Sequence, residues 1–136
     1  MGVGALILRR DSIVLVQRAK NPLKGYWSLP GGLVETGERI EDALKREVRE
    51  ETGLVVEPKM MFEIFERIMR DASGRVEYHY VLHDYLCTVK GGELRAGDDA
   101  GRAVWISRGA LRDLPLTEGT LAVIERAFSH ARRKRS

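Results

Sequence analysis

The chain has 136 residues and a mass of 15.4 kDa, which fits one hydrophobic core, since a single domain typically occupies roughly 100–200 residues. Hydrophobic residues make up 43% and charged residues 32% of the sequence, a balance that excludes a disordered, collagen-like or fibrous chain. The formal net charge of +3 depends on four cations near the C-terminus, because without Arg132, Arg133, Lys134 and Arg135 it becomes −1.

The apolar segments of the chain are short. Runs such as residues 13–16 fall far below the roughly 20 apolar residues that a membrane-spanning helix needs, and the N-terminus lacks the long apolar region of a secretory signal. The one cysteine, Cys87, has no partner for an internal disulfide, which agrees with a reducing compartment. We therefore expect a soluble, cytoplasmic protein with no membrane partner and with Cys87 in its core.

The chain opens with two predicted strands. Residues 3–8 and 13–17 are rich in β-branched and aliphatic side chains, and the polar residues 9–12 between them predict a hairpin turn. Residues 19–37 then contain two prolines and four glycines, which predicts a shaped loop rather than regular structure. Loops of this length inside a compact domain are usually functional.

An amphipathic helix is predicted after this loop, over residues 38–52. Its apolar side chains recur at helical spacing and share one face: Ile40, Ala43, Leu44 and Val48. Gly53 follows at the position where glycine commonly ends a helix.

Three more strands are predicted beyond the helix. Residues 62–69 and 76–89 alternate in the manner of strands, with a turn at residues 71–74, and residues 103–106 follow a loop at 97–101. The resulting order is strand, strand, loop, helix, three strands and helix, which indicates an antiparallel or mixed sheet.

The C-terminal region is predicted to be helical as far as about residue 130. Ser107 is placed to cap a helical turn at residues 110–113, and Thr117 to cap a last helix. The apolar face of that helix comprises Leu121, Ile124 and Phe128. We assign residues 1–130 to a single domain and residues 131–136 to a basic, disordered tail. Such a tail could bind nucleic acid or anionic lipid, although most frayed basic ends are simply solvated.

The predicted helix concentrates negative charge on one side. Glu47, Glu50 and Glu51 are spaced i, i+3, i+4, so they share a face and repel one another. A divalent cation would relieve this repulsion, and oxygen ligands without histidine or cysteine favour Mg²⁺ or Mn²⁺ over zinc. The alternative from these residues alone is a solvated acidic face on which Arg46 pairs with Glu50.

The segment from Gly32 to Leu54, GLVETGERIEDALKREVREETGL, resembles the Nudix box, Gly-x5-Glu-x7-Arg-Glu-U-x-Glu-Glu-x-Gly-U, where U is aliphatic. The matching positions are Gly32, Glu38, Arg46, Glu47, Val48, Glu50, Glu51, Gly53 and Leu54. Residues 26–31 and 103–107 extend the likeness. The resemblance to Nudix hydrolases implies an α/β fold, an α/β/α sandwich with a mixed sheet, and pyrophosphohydrolysis of a nucleoside diphosphate linked to a further group.

The resemblance also implies residue roles. Glu47, Glu50 and Glu51 match metal-binding glutamates, and the carbonyl of Gly31 is implied as another ligand of Mg²⁺, for which Mn²⁺ could substitute. The implied role of Arg46 is to orient the glutamates. Gly32 and Gly37 suit the bend of the loop, and Glu38 is either an outer ligand or a carboxylate favourable to the helix dipole. The general base is Glu50 or Glu47, ranked ahead of Asp98 and Asp99 in the late loop.

Outside the box the candidates are weaker. Arg18 could reach a phosphate, Trp27 could stack on a base although core packing is more common for such a tryptophan, and Tyr80 could line the pocket with Arg67. The three histidines have no metal-ligand spacing, and we expect them on the surface or in the core: His79, His83 and His130.

The predicted substrate is a small nucleotide. An ADP-ribose-like sugar nucleotide ranks slightly ahead of a nucleoside triphosphate, modified or unmodified, which would yield a monophosphate and pyrophosphate. Two alternatives of other classes are a nucleotide-sensing module without catalysis and an RNA-end hydrolase that binds RNA through Arg132–Arg135, although a nucleic-acid partner is not favoured. A homodimer is expected only from its frequency in this fold.

Overall fold

The structure is a computed structural model that describes residues 1–97 and 100–135. Its elements are β1 (Gly2–Arg9), β2 (Ser12–Arg18), β3 (Trp27–Ser28), β4 (Gly31–Leu33), α1 (Ile40–Thr52), β5 (Leu54–Arg70), β6 (Val76–Gly92), β7 (Ala100–Ser107), a 3-10 helix (Arg108–Asp113) and α2 (Thr120–Arg135). The candidate bases Asp98 and Asp99 lie outside the described residues.

The strands form one mixed sheet with β1 at its centre. The order across the sheet is β3-β2-β1-β6-β5, while β4 pairs with β1 and β7 with β2. β1 runs parallel to β6 and antiparallel to β2 and β4. The predicted α/β class with a mixed sheet is therefore confirmed. No helix in the described ranges has the length and apolarity needed to cross a bilayer.

Alternation along β1 builds a core on each side of the sheet. Val3, Ala5 and Ile7 pack with Leu44 and the other buried residues of α1, whereas Leu6 faces the opposite way and packs with α2. A strand covered on both faces carries a nearly continuous apolar run, which explains the sequence of β1. The two helices consequently enclose the sheet as the predicted α/β/α sandwich.

The helix α1 matches its prediction except at its start, two residues later than expected. Arg39 is extended and precedes the first turn, which leaves Glu38 in the loop before the helix. Gly53 ends α1 in the left-handed conformation, with φ of 76°, and its N–H donates to the carbonyl of Arg49. This matches the predicted helix end.

The long hairpin of β5 and β6 differs most from the prediction. β5 begins at Leu54 rather than at residue 62, because Pro58 lies at an irregularity of the register where the ladder does not need its missing N–H. The predicted turn at residues 71–74 is present, and the Asp71 carboxylate accepts hydrogen bonds from the N–H groups of Ser73 and Arg75. The irregular loop predicted over 19–37 also contains the short strands β3 and β4.

Three predictions near the C-terminus are corrected. Ser107 precedes the 3-10 helix but makes no capping hydrogen bond through its side chain. Thr117 lies three residues before α2 and does not cap it; its hydroxyl instead contacts that of Thr120 at 2.6 Å. α2 continues to Arg135, so the segment predicted as a disordered tail is helical over residues 131–135.

The end of α1 gives a testable prediction about stability. Gly53 and Gly74 both have positive φ, but a Cβ at Gly53 would collide with the carbonyl oxygen of Glu93, whereas a Cβ at Gly74 would meet open space. Gly74→Ala should cost about 1 kcal/mol, from backbone conformation alone. Gly53→Ala should cost clearly more in urea unfolding, and equal losses would contradict this packing.

Candidate active site

The C-terminal half of α1 lies directly against β4. The N–H of Gly31 donates to Oε1 of Glu51 at 2.7 Å, and β4 is itself held by its pairing with β1, in which Gly31 faces Gly4. A carboxylate of the helix is thereby fixed to the backbone of the sheet.

Gly32 allows a second close approach between the same elements. A Cβ built at this position would lie 2.5 Å from the carboxylate carbon of Glu47, so any side chain would displace that carboxylate. Glycine leaves the Glu47 carboxylate in its present position. The box glycine and the box glutamate are therefore in direct contact.

Arg46 connects three of the carboxylates. Its guanidinium donates to both oxygens of Glu38, through Nε at 2.8 Å and Nη2 at 2.9 Å, and through Nη1 to Glu47 at 2.7 Å and to Glu50 at 3.4 Å. Nη2 also donates to the carbonyl of Leu33 at 3.1 Å. This network joins the loop before α1 to the acidic face of the helix.

The pKa values of Glu38 and Glu47, which both bind Arg46, are shifted in opposite directions. The hydrogen bonds from Arg46 lower the pKa of Glu38 to about 2, so this carboxylate is an anchor for the arginine. Burial raises the pKa of Glu47, and Arg46 opposes that rise only in part. A half-buried anion of this kind would be stabilised by a further cation. The side chain of Glu50 is more accessible, 45% exposed.

The predicted metal ligands are brought together in part. Gly31, Gly32, Glu47 and Glu51 line one cavity, but Glu50 is not among the described residues that line it. Within residues 1–97 and 100–135, no three acidic, histidine or cysteine side chains converge closely enough to form a ready metal site. The chemistry of the donors nevertheless fits Mg²⁺ or Mn²⁺, since the carboxylates of Glu47 and Glu51 are hard oxygen ligands with no nitrogen or sulfur beside them.

The cavity has a volume of about 490 Å³ and extends from these glutamates across the α2 side of the sheet. Of the predicted substrate-binding residues, Arg18, Gly32 and Tyr80 line it, as does Arg67. The Nε of Arg18 donates to the carbonyl of Pro22 at 2.8 Å, within the loop that covers the cavity. The space is large enough for a nucleotide-sized ligand.

Trp27 is not among the described residues that line the cavity, and its position favours the core alternative over stacking on a base. Its side chain is 4% exposed and packs in the core on the α2 side, with the guanidinium of Arg102 located 5.3 Å from its ring. The alternation of β3 turns the indole toward the helix, so Trp27 is a core residue.

Asp84 is a cavity residue that the sequence analysis missed. It is 5% exposed, lines the cavity, and lies beside Gly4, where a Cβ would collide with its Oδ1. Burial raises its pKa to about 6, opposed by the positive charge of Arg67. The alternation of β6 contained the signal, because Asp84 shares a face with Leu82 and Leu86, where an apolar residue was expected.

Arg67 lies opposite Tyr80 in the hairpin of β5 and β6, on the same face of the sheet as Asp84. Its Nη2 donates to the carbonyl of Glu118 at 2.8 Å, and it contacts Thr117 Oγ1 at 3.4 Å. Its Nε is buried and has no partner among the described residues. Burial lowers the pKa of Arg67, and the negative charges of Asp84 and Glu118 oppose that effect.

The histidines and the cysteine lie away from this site. His79 pairs with Glu66 at 2.9 Å on the surface, the Nδ1 of His83 contacts the carbonyl of Gly2 at 3.2 Å, and His130 meets Phe62 edge-on. Cys87 is buried in the core as predicted, and burial raises the pKa of its thiol to about 12.

Comparison with known proteins agrees with the site geometry. A model of the NUDIX domain matches residues 1–127. The chain belongs to the Nudix hydrolase family. A solved structure of a MutT NUDIX hydrolase from Burkholderia pseudomallei is 34% identical, with a TM-score of 0.77, and the match covers 91% of this chain and 94% of that one.

Two curated relatives of this Nudix hydrolase are named for different activities. An ADP-ribose pyrophosphatase of Methanocaldococcus jannaschii is 39% identical over 85% of this chain and 64% of its own length. The human 8-oxo-dGDP phosphatase NUDT18 is 31% identical over 98% of this chain and 40% of its own. The chain thus spans less than two thirds of these relatives.

The buried carboxylate of this Nudix domain predicts a pH dependence of stability. Burial raises the pKa of Asp84 from 3.8 to about 6 in the folded state. The contribution of Asp84 to the free energy of unfolding therefore falls as the pH rises from about 3.8 to about 6. Asp84→Asn should remove this slope and stabilise the protein at pH 7.5 by on the order of 2 kcal/mol.

Urea unfolding of wild type and Asp84→Asn at pH 4.5 and 7.5 tests this expectation. The control is Glu66→Gln, which removes a carboxylate from the exposed face of the same hairpin. Parallel pH dependence in wild type and Asp84→Asn would show that Asp84 titrates normally.

Proposed function

We propose that the protein hydrolyses the pyrophosphate bond of a nucleoside diphosphate linked to another group, with an ADP-ribose-like sugar nucleotide as its substrate. The observation that carries the proposal is a single cavity lined at one end by Glu47, Glu51 and the backbone of Gly31 and Gly32, and at the other by Arg67, Tyr80 and Asp84. One ligand could contact both ends.

The proposed cofactor is Mg²⁺, with Mn²⁺ as a substitute. The carboxylates of Glu47 and Glu51 and the carbonyl of Gly31 would hold it, joined by Glu50. When bound, the cation neutralises charge on the pyrophosphate and lowers the pKa of water for attack. Arg46 fixes the direction of Glu47, while the N–H of Gly31 fixes Glu51.

Glu50 is the proposed acceptor of the water proton. Glu47 is already engaged by Arg46 at 2.7 Å and Glu51 by a backbone N–H at 2.7 Å. Among the described residues, Glu50 is held by the longer 3.4 Å contact to Arg46, and it is the more accessible carboxylate. A general base needs a free lone pair within reach of water.

The proposed sugar nucleotide agrees with the name of the archaeal relative, an ADP-ribose pyrophosphatase. A second candidate, a guanine nucleotide damaged by oxidation, agrees with the name of the human relative, an 8-oxo-dGDP phosphatase. We rank the sugar nucleotide first because the buried Asp84 lines the cavity, and a carboxylate accepts hydrogen bonds from sugar hydroxyls but not from a phosphate that carries no proton.

Product analysis tests the proposed reaction. Wild type with Mg²⁺ should release AMP and ribose 5-phosphate from ADP-ribose, and Glu51→Gln should reduce kcat/KM by at least about 100-fold, because a charged ligand is lost. Glu41→Gln, the same change at an exposed position of α1, should act as wild type. Pyrophosphate release from triphosphates, with no cleavage of ADP-ribose, would contradict the proposed substrate.

Metal affinity tests the positioning role of Arg46. Arg46→Lys retains the charge but cannot donate to Glu38 and Glu47 together, so Mn²⁺ binding should weaken by about 10–100-fold. Arg49→Lys, at an exposed position of the same helix, is the matched control. Mn²⁺ titration followed by electron paramagnetic resonance measures both variants, and unchanged binding in Arg46→Lys would exclude this role.

A further inference from the structure

The cavity contains a second polar centre, remote from the box glutamates. Gly4 of β1 faces Gly31 of β4 on one side and Asp84 of β6 on the other. Two strand spacings therefore separate Asp84 from Gly31, about 10 Å. If the phosphates of a ligand bind at the glutamates, the group attached to those phosphates would reach Asp84.

Asp84 and Arg67 retain hydrogen-bonding capacity toward this space. The terminal nitrogen of Arg67 is already bonded to the loop before α2, but its Nε is buried without a partner in the described part of the chain. Asp84 is 5% exposed, and its side chain lines the cavity. Buried polar groups without partners are costly, so a ligand that supplied both a donor and an acceptor here would bind favourably.

The donors and acceptors at this centre suit an uncharged group. Arg67 is attracted to Asp84 and Glu118, and Arg18, which also lines the cavity, offsets part of their negative charge. A phosphate would meet the Asp84 carboxylate without a proton to donate to it, whereas hydroxyls suit the centre because each is both donor and acceptor.

We propose that Asp84 and Arg67 form a subsite for the vicinal hydroxyls of the sugar beyond the pyrophosphate. The two carboxylate oxygens of Asp84 accept hydrogen bonds from the two hydroxyls, and the Nε of Arg67 donates to a hydroxyl lone pair. Acidic side chains bind ribose hydroxyls in the same manner in dinucleotide-binding folds. This inference rests on the proposed function and adds to it a reason for selecting a sugar over a phosphate.

Binding of the reaction products tests the subsite without requiring catalysis. Isothermal titration of wild type should show tighter binding of ribose 5-phosphate than of 2-deoxyribose 5-phosphate. Asp84→Asn should weaken the binding of ribose 5-phosphate by about tenfold and abolish the preference over 2-deoxyribose 5-phosphate, because the charge-assisted hydrogen bonds are lost. AMP should bind equally to both proteins, and Glu66→Gln should match wild type.

Arg67→Lys provides an independent variant. It retains the positive charge but removes Nε, so it should reduce the preference for ribose 5-phosphate while the Asp84 carboxylate is intact. Circular dichroism confirms the fold of each variant before titration.

Each other outcome has a defined meaning. Weaker AMP binding with unchanged ribose 5-phosphate would assign the centre to the base and overturn the sugar subsite. Unchanged binding of both products in both variants would overturn any recognition role. If the ribose preference depends on Asp84 but ADP-ribose is not cleaved, the subsite stands and the proposed hydrolysis fails.

Discussion

Because Gly31 and Gly32 have no side chains, the backbone of β4 reaches the carboxylates of Glu51 and Glu47. This approach fixes the distance between the helix and the sheet, and the other parts of the site depend on it. The cavity opens beside these residues, and Arg46 adds the loop before α1 to the same contact. The two glycines of a short strand thus determine where the acidic face of the helix is held.

Much of this arrangement was predictable from the sequence, because a helix has a fixed period. The spacing of the glutamates, the apolar face of α1 and its end at Gly53 follow from 3.6 residues per turn. The resemblance to the Nudix box supplied the expected orienting role of Arg46. The pairing of Arg46 with Glu38 could not be derived from spacing alone, since Glu38 lies in the loop before the helix.

The errors arose where tertiary contacts decide the outcome. The strand predicted from residue 62 in fact begins at Leu54, because a register irregularity accommodates Pro58. Trp27 and Asp84 were hard to place for a different reason. Neither a two-residue strand nor a single acidic residue in an apolar strand indicates which of its faces meets the cavity. Such faces depend on register, and register is set by neighbours that are distant in sequence.

The close approach of β4 also limits how this protein can change. Gly31 and Gly32 are outside the left-handed region, but a Cβ at Gly31 would collide with the backbone carbonyl of Val3, and one at Gly32 with the Glu47 carboxylate. Rules that infer tolerance from dihedral angles would therefore rate both positions as permissive. In a saturation library Gly31 should be the less tolerant of the two, because the backbone of Val3 cannot move aside as the end of the Glu47 side chain can, and a shorter acid at position 47 should help alanine at position 32.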